Sequence, residues 1–236
     1  MNVPVSFFAE TQLQFVLKRA TVEAQVILVV LALFSVFAWY MMVFKGLQMK
    51  RAKKLNQYFD AEFRAQKNVL AIFERRLEVV GCPFFAVYQE GCLELDARLK
   101  SAGGSPRRPN LTLKSMEHIK RTLESAVARE SIKLESGLIL LASAVSGGPF
   151  LGLLGTVWGV MDTFAMVGQS QSAALETMAP GVSAALITTV AGLVVAIPSM
   201  FGYNFLVHSL RVQTVELDNF AQELVSKMET EYLIEE

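Results

Sequence analysis

The fold of this chain is decided by residues 177–210, which read TMAPGVSAALITTVAGLVVAIPSMFGYNFLVHSL. This stretch includes no Asp, Glu, Lys or Arg, and neither do the stretches 24–44 and 136–161. Uncharged apolar runs of about 18 or more residues are typical of transmembrane helices, because ~20 residues at 1.5 Å each cross the hydrocarbon core. We therefore predict an all-α membrane protein with three transmembrane helices. A water-soluble globule, a disordered chain and a secreted disulfide scaffold are excluded.

The charges are unevenly distributed, although the chain has 22 basic and 22 acidic residues. Residues 45–133 carry 18 basic and 10 acidic residues, whereas residues 211–236 carry 2 and 7. Basic residues near a span are retained in the cytoplasm, and five follow the first run: Lys45, Lys50, Arg51, Lys53 and Lys54. We predict a periplasmic N-terminus, with residues 45–133 and the C-terminus cytoplasmic. A cleaved signal peptide is disfavoured, because this basic cluster stands where a small-residue cleavage site would be needed.

The predicted organisation has seven segments. They are a periplasmic N-terminus at 1–23, a first transmembrane helix at 24–44, a cytoplasmic helical domain at 45–133, a second transmembrane helix at 134–168, a periplasmic loop at 169–177, a third transmembrane helix at 178–208 and a cytoplasmic C-terminal helix at 209–236. The N-terminus is compatible with an interfacial helix or a frayed end. The second and third helices, each ~45 Å long, are expected to extend into the cytoplasm or tilt. Residues 103–109 predict a loop, and the helix beginning near Leu111 is expected to continue into the second span.

Small residues recur at four-residue spacing in the second and third runs. Such stripes let helices approach closely in lipid, where packing rather than hydrophobicity drives association. The predicted helix-packing residues are Gly152, Gly155, Gly159, Gly181, Ala185 and Gly192. The first run instead carries bulky side chains, including Trp39 and Tyr40, and is expected to face lipid.

Three threonines, Thr156, Thr188 and Thr189, lie in the middle of the second and third runs. Thr156 precedes the predicted outer end of its helix by about three turns, and Thr189 follows the outer start of the next helix by the same distance. Each therefore lies ~16 Å below the outer surface, so that two antiparallel helices place hydroxyls at one depth. Pore lining and simple packing both remain open, because a threonine hydroxyl can also bond to its own preceding turn.

No acidic residue falls at this depth. Asp162 is expected at the outer mouth, where it either attracts cations or is simply interfacial. Since an ionisable group within a span is the usual ion carrier, an ion-conducting function would need a carboxylate from another chain.

Cys82 and Cys92 are expected to be reduced structural thiols, and with only His118 and His208 they make no metal site.

Nucleic-acid binding is not expected from the basic segment 45–133. Its basic residues alternate with acidic ones on amphipathic helices, which favours a solvated face beside anionic lipid. No catalytic residue and no cofactor is predicted, because the sequence contains no nucleophile–base or metal-ligand pattern.

Three motifs resemble a known family: GLLGTVWGVM at 152–161, APGVSAAL at 179–186 and TVAGLVVAIP at 189–198. Over about 130–225 the chain resembles the TolQ/ExbB/MotA proton-channel family, and TolQ and ExbB more closely than the flagellar stator. The resemblance implies a homopentamer in the bacterial inner membrane around a dimer of a single-span TolR/ExbD-like partner, whose membrane Asp carries the proton. It implies that ion flow moves this partner, which acts in the periplasm. It also places Thr156 and Thr189 where the family's pore-lining threonines lie.

The chain departs from this family pattern at two neighbouring positions. Ala184 stands where TolQ and ExbB sequences often have Glu, and Thr188 replaces a small apolar residue. This departure leaves both H⁺ and Na⁺ open as the transported ion.

The leading hypothesis is an ion-channel subunit of an energising motor, not an enzyme. The alternative is a non-conducting scaffold for an envelope machine, whose function would survive collapse of the proton-motive force. A solute transporter is disfavoured, because neither inverted repeats nor further spans are found.

Overall fold

The computed structural model describes residues 22–75, 78–101, 111–170 and 175–233. Three of the helices in these ranges are long and apolar enough to cross a membrane, which confirms the prediction of an all-α membrane protein. The helices are α1 (Val22–Ala65), α2 (Ala71–Glu74), α3 (Pro83–Ser101), α4 (Leu113–Glu135), α5 (Leu138–Ser170) and α6 (Leu175–Tyr232). The predicted interfacial helix before residue 22 and the predicted loop at 103–109 lie outside the described residues.

The helix that precedes the second span does not continue into it, contrary to the expectation from sequence. Helix α4 ends at Glu135, where the Ser136 N–H still donates to the Ile132 carbonyl at 2.9 Å, and α5 begins at Leu138. Gly137 has a φ of +86°, a left-handed conformation that costs glycine little because it has no Cβ. A glycine in this conformation commonly ends a helix. Helix α6 runs without a break for 58 residues, from Leu175 to Tyr232, so that it includes the predicted segment 178–208 and continues into the predicted segment 209–236.

The described residues divide into two compact units. The first unit consists of residues 22–43 and 137–205 and contains most of each of the three uncharged runs. Its small apolar cluster is formed by Ile27, Leu31 and Val195. Large apolar side chains mostly lie on its surface, including Trp39 and Tyr40, which are 56% and 59% exposed. A surface of this kind is suited to lipid, where exposed apolar side chains carry no hydrophobic penalty.

The second unit consists of residues 44–136 and 206–233 and has an aromatic core. The rings of Phe84 and Phe220 stack with their centroids 4.5 Å apart. The hydroxyl of Tyr88 donates to the Val69 carbonyl at 2.6 Å and accepts from the Phe73 N–H at 2.9 Å. Because both bonds satisfy the hydroxyl, the Tyr88 ring can be fully buried without leaving a polar group unpaired.

Lys227 of α6 holds the end of α1 within this second unit. Its ammonium donates to the carbonyls of Phe63 at 3.2 Å and Gln66 at 2.6 Å, and lies 4.3 Å from the centroid of the Phe63 ring. The last carbonyls of a helix lack partners in their own helix. A lysine from a neighbouring helix here supplies those partners, together with a cation–π contact.

Candidate functional site

Helices α5 and α6 approach each other closely along a line of small residues in the first unit. A Cβ atom built on Gly152 would lie 2.9 Å from the carbonyl oxygen of Thr188, and one built on Gly159 would lie 2.8 Å from the Cβ of Ala185. These separations leave no room for a side chain, so glycine is required for this helix spacing. Each residue predicted from sequence to pack helices is found at this contact: Gly152, Gly155, Gly159, Gly181, Ala185 and Gly192.

The close approach brings three threonine hydroxyls together, one from near the middle of α5 and two from the first third of α6. The hydroxyls of Thr156 and Thr189 are in hydrogen-bond contact. The Thr156 hydroxyl oxygen is also 3.1 Å from the Ala185 carbonyl and 3.2 Å from the Gly152 carbonyl. The Thr188 hydroxyl lies 2.6 Å from the Ala185 carbonyl oxygen and 3.1 Å from the Gly152 carbonyl oxygen. The Thr189 hydroxyl also lies 3.1 Å from the Gly152 carbonyl oxygen. We call these three hydroxyl and two carbonyl oxygens the hydroxyl cluster.

The hydroxyl cluster contains more acceptors than protons. Each hydroxyl brings one proton and can accept as well, whereas a backbone carbonyl only accepts. The Thr156 hydroxyl has three acceptors within reach but can donate to only one of them at a time. By rotating, such a hydroxyl can donate to an ionised carboxylate or accept from a protonated one. The hydroxyl cluster can therefore form hydrogen bonds with a carboxyl group in either of its protonation states.

The three threonines differ in their access to the surface of the subunit. Thr156 and Thr189 are half-buried, whereas the Thr188 side chain is 0% exposed. Thr188 fills the notch left by Gly155, where an added Cβ would lie 2.5 Å from the Thr188 hydroxyl oxygen. The structure thus places Thr188 inside the helix contact rather than on a face where a path could run. That Thr156, Thr188 and Thr189 all line an ion path stays a prediction.

Asp162 occupies a half-buried position six residues beyond Thr156 on α5, about 9 Å away by helical rise. Helix α5 ends at Ser170, two residues later than the end at 168 that the sequence predicts. Asp162 therefore lies about two turns before the helix end, slightly deeper than expected.

Thr163 was not singled out from the sequence. Its side chain is 1% exposed, its hydroxyl donates to the Gly159 carbonyl at 2.7 Å, and it contacts Gly181. Thr163 packs the helix contact beyond the hydroxyl cluster. The available signal was its spacing of seven residues from Thr156, which places both on one helix face.

Outside the hydroxyl cluster, Cys82 and Cys92 belong to the core of the second unit. Cys82 and Cys92 are free and buried. Burial raises the pKa of the Cys82 thiol and raises that of Cys92 to about 12, so both thiols stay protonated. Within the described ranges no group of three or more His, Cys, Asp or Glu is placed to hold a metal ion.

Comparison with known proteins gives consistent matches. Residues 96–219 match the MotA/TolQ/ExbB proton channel family. A biopolymer transport protein ExbB of Xanthomonas campestris pv. campestris is 34% identical over 204 residues, covering 84% of this chain and 79% of the relative. A Tol-Pal system protein TolQ of Haemophilus influenzae is 32% identical over 214 residues, covering 88% and 90%. The TolQ protein of Pseudomonas aeruginosa is 32% identical over 197 residues, covering 82% of each chain.

Proposed function

The chain belongs to the MotA/TolQ/ExbB proton channel family, and we propose that it is the channel-forming subunit of a motor driven by ion-motive force. It is a multi-pass protein of the inner membrane. In this proposal the N-terminus is periplasmic, whereas the basic segment 45–133 and the acidic C-terminal segment are cytoplasmic. This orientation rests on the retention of basic residues near spans on the cytoplasmic side.

The hydroxyl cluster is the observation that carries the proposal. Thr156 and Thr189 bring hydroxyls from two helices to one point at mid-span, and both remain half-exposed on the subunit. We assign these two residues to the ion path and Thr188 to the packing that positions them. The outward-facing parts of Thr156 and Thr189 would then meet whatever occupies the centre of the assembly.

The carboxylate for ion transfer is proposed to come from a second protein. The uncharged runs 136–161 and 177–210 supply none at the depth of the cluster. A dimer of a single-span TolR/ExbD-like partner, enclosed by five copies of this chain, would present its membrane Asp to Thr156 and Thr189. Rotation of the hydroxyls lets them donate to this Asp when it is ionised and accept from it when it is protonated. The ionised form would otherwise be costly at mid-bilayer.

The energy source is adequate for mechanical work on such a partner. One charge moving through 100 mV releases ~2.3 kcal/mol, and several transfers would accumulate in one cycle. We propose H⁺ as the transported ion and motion of the partner as the output. The work is proposed to be done in the cell envelope, in keeping with the transport and Tol-Pal names of the relatives.

Isosteric threonine variants test this assignment. The chain would be purified with its single-span partner, reconstituted into liposomes, and proton uptake followed with an enclosed pH-sensitive dye. Thr156→Val and Thr189→Val should each reduce uptake about tenfold or more, since a lost hydrogen bond to a charged group costs ~1.5–3 kcal/mol. Thr163→Val is the matched control, because the hydrogen bond described for its hydroxyl runs to the Gly159 carbonyl of its own helix at 2.7 Å.

Four outcomes of these measurements have different meanings. Full uptake by both Thr156→Val and Thr189→Val would remove these residues from the ion path. Equal losses in all three variants would indicate a general packing defect instead of a path. Absence of uptake in the unmodified complex, with partner-dependent envelope function that survives collapse of the proton-motive force, would favour the non-conducting scaffold. Uptake of Na⁺ in place of H⁺ would change the ion but retain the path.

A further inference from the structure

A cavity of about 620 Å³ opens in the second unit between α1, the start of α3 and the end of α4. Its position along the chain places it next to the bilayer. Gln48 lies four residues after the uncharged run 24–44, and Leu134 lies four residues before α5 begins. Four residues of helix rise about 6 Å. From the predicted limits of the spans we therefore expect the cavity at the depth of lipid headgroups. Its volume is in the range of ligand sites, roughly 300–1,000 Å³.

The cavity wall carries charges of both signs. Arg51 and Lys133 contribute positive charge, and Glu78 and Glu130 contribute negative charge. Lys133 and Glu130 pair with each other at 2.6 Å. Arg51 and Glu78 form no ion pair with another residue of the described ranges. One cation and one anion thus remain available at this wall.

The cavity wall also contains an unused hydrogen-bond acceptor. The side-chain carbonyl oxygen of Gln48 is buried and has no hydrogen-bond partner among the described residues. An unpaired buried acceptor costs about 1–3 kcal/mol, which a ligand with an N–H donor would recover. Because Glu78 and Gln48 are both acceptors, the wall favours a ligand that carries an ammonium group beside an anion.

We propose that this cavity binds the phosphoethanolamine headgroup of a phospholipid in the adjoining leaflet. Arg51 binds the phosphate, as a guanidinium matches its oxygens in a fork of two hydrogen bonds. The ammonium group donates to the Gln48 carbonyl oxygen and is balanced by Glu78. A purely anionic headgroup fits less well, since two carboxylates, Glu78 and Glu130, line the same space.

An exposed apolar side chain at the edge of the cavity supports a lipid as the source of this headgroup. Val80, which lines the cavity, is 81% exposed. It precedes Gly81, whose φ of +85° allows the tight turn that presents it. Exposed apolar residues beside a headgroup site can enter the boundary between headgroups and acyl chains. A soluble ligand of the same chemistry would gain nothing from this contact.

Lipid retention in native mass spectrometry tests the proposal independently of ion conduction. The purified full-length complex would be titrated with phosphatidylethanolamine, phosphatidylcholine and phosphatidylglycerol of identical acyl chains. We expect at least a fivefold preference for phosphatidylethanolamine over phosphatidylcholine, because a quaternary ammonium has no N–H to donate. Gln48→Leu should abolish this preference, and Arg51→Gln should weaken the retention of both lipids. Lys50→Gln is the matched control, because Lys50 is exposed and does not line the cavity.

Specific results would overturn the proposal. Equal retention of phosphatidylethanolamine and phosphatidylcholine by the unmodified complex would show that no ammonium is recognised. Preferential retention of phosphatidylglycerol, lost in Arg51→Gln but not in Gln48→Leu, would identify an anion site instead. Displacement of the lipid by an equal concentration of glycerophosphoethanolamine would identify a soluble ligand as the occupant.

Discussion

Replacement of Gly155 by alanine perturbs the contact between α5 and α6 directly at the hydroxyl cluster. The added Cβ would lie 2.5 Å from the hydroxyl oxygen of Thr188 and 2.7 Å from its Cβ. The second distance falls about 0.7 Å short of the 3.4 Å at which ordinary contact begins, and close-packed interiors do not absorb such a deficit locally. The two helices must therefore separate, or the Thr188 side chain must leave its notch and lose its bonds to the Gly152 and Ala185 carbonyls.

A second glycine of α5 separates this clash from the intrinsic effect of alanine. A Cβ at Gly147 would meet nothing within 4 Å. Alanine improves helix propensity over glycine by up to ~1 kcal/mol in both variants. This gain cancels when the free energies of unfolding of the two variants are compared. Overpacking costs about 1–3 kcal/mol. We therefore expect Gly155→Ala to be less stable than Gly147→Ala by about 1–3 kcal/mol.

The assay is reversible unfolding of the purified protein in mixed micelles, titrated with sodium dodecyl sulfate and followed by circular dichroism. Gly155→Ala should also lower partner-dependent proton uptake, because its clash displaces the helix that carries Thr189. A difference between the two variants below about 0.5 kcal/mol, with uptake unchanged, would refute the tight contact at Gly155 and with it the positioning of the hydroxyl cluster.

Two further predictions concern the second unit. Lys227→Met removes the ammonium that donates to the carbonyls of Phe63 and Gln66. This variant should lower the free energy of unfolding by about 1.5–3 kcal/mol in the same titration. The exposed control Lys114→Met should change that free energy by less than about 0.5 kcal/mol. Burial raises the pKa of Cys92 to about 12, so its reactive thiolate forms only as the pH approaches 12. Maleimide at pH 8 should therefore label Cys92 far more slowly in the folded protein than in the unfolded one. Rapid labelling of Cys92 in the folded protein would contradict its burial.

The membrane fold could be predicted because its signals are local. Residues 24–44, 136–161 and 177–210 contain no charge, and this property alone specifies three spans. The stripe that includes Gly152, Gly155 and Gly159 similarly repeats every three or four residues, so its role in close helix contact is readable from spacing. These features depend on neighbours in sequence and require no knowledge of tertiary partners.

The features that could not be predicted depend on such partners. Thr188 and Thr189 are adjacent in sequence and about 100° apart on the helix, so only the notch at Gly155 determines which of them is buried. Gly137 is compatible with a continuous helix and with a left-handed helix end, and the residues beside it do not decide between them. The bonds of Lys227 to Phe63 and Gln66 join positions more than 160 apart in the chain, which helical periodicity cannot reveal.

Proton flux with and without the partner carboxylate tests the central claim most directly. Liposomes would contain this chain alone, the complex with the proposed single-span partner, or the complex in which the membrane Asp proposed for that partner is replaced by Asn. We predict dissipation of an imposed pH gradient and membrane potential only by the intact complex, because the mid-span hydroxyls have no carboxylate within their own runs. Equal dissipation by this chain alone, or by the complex with the Asn partner, would contradict the account.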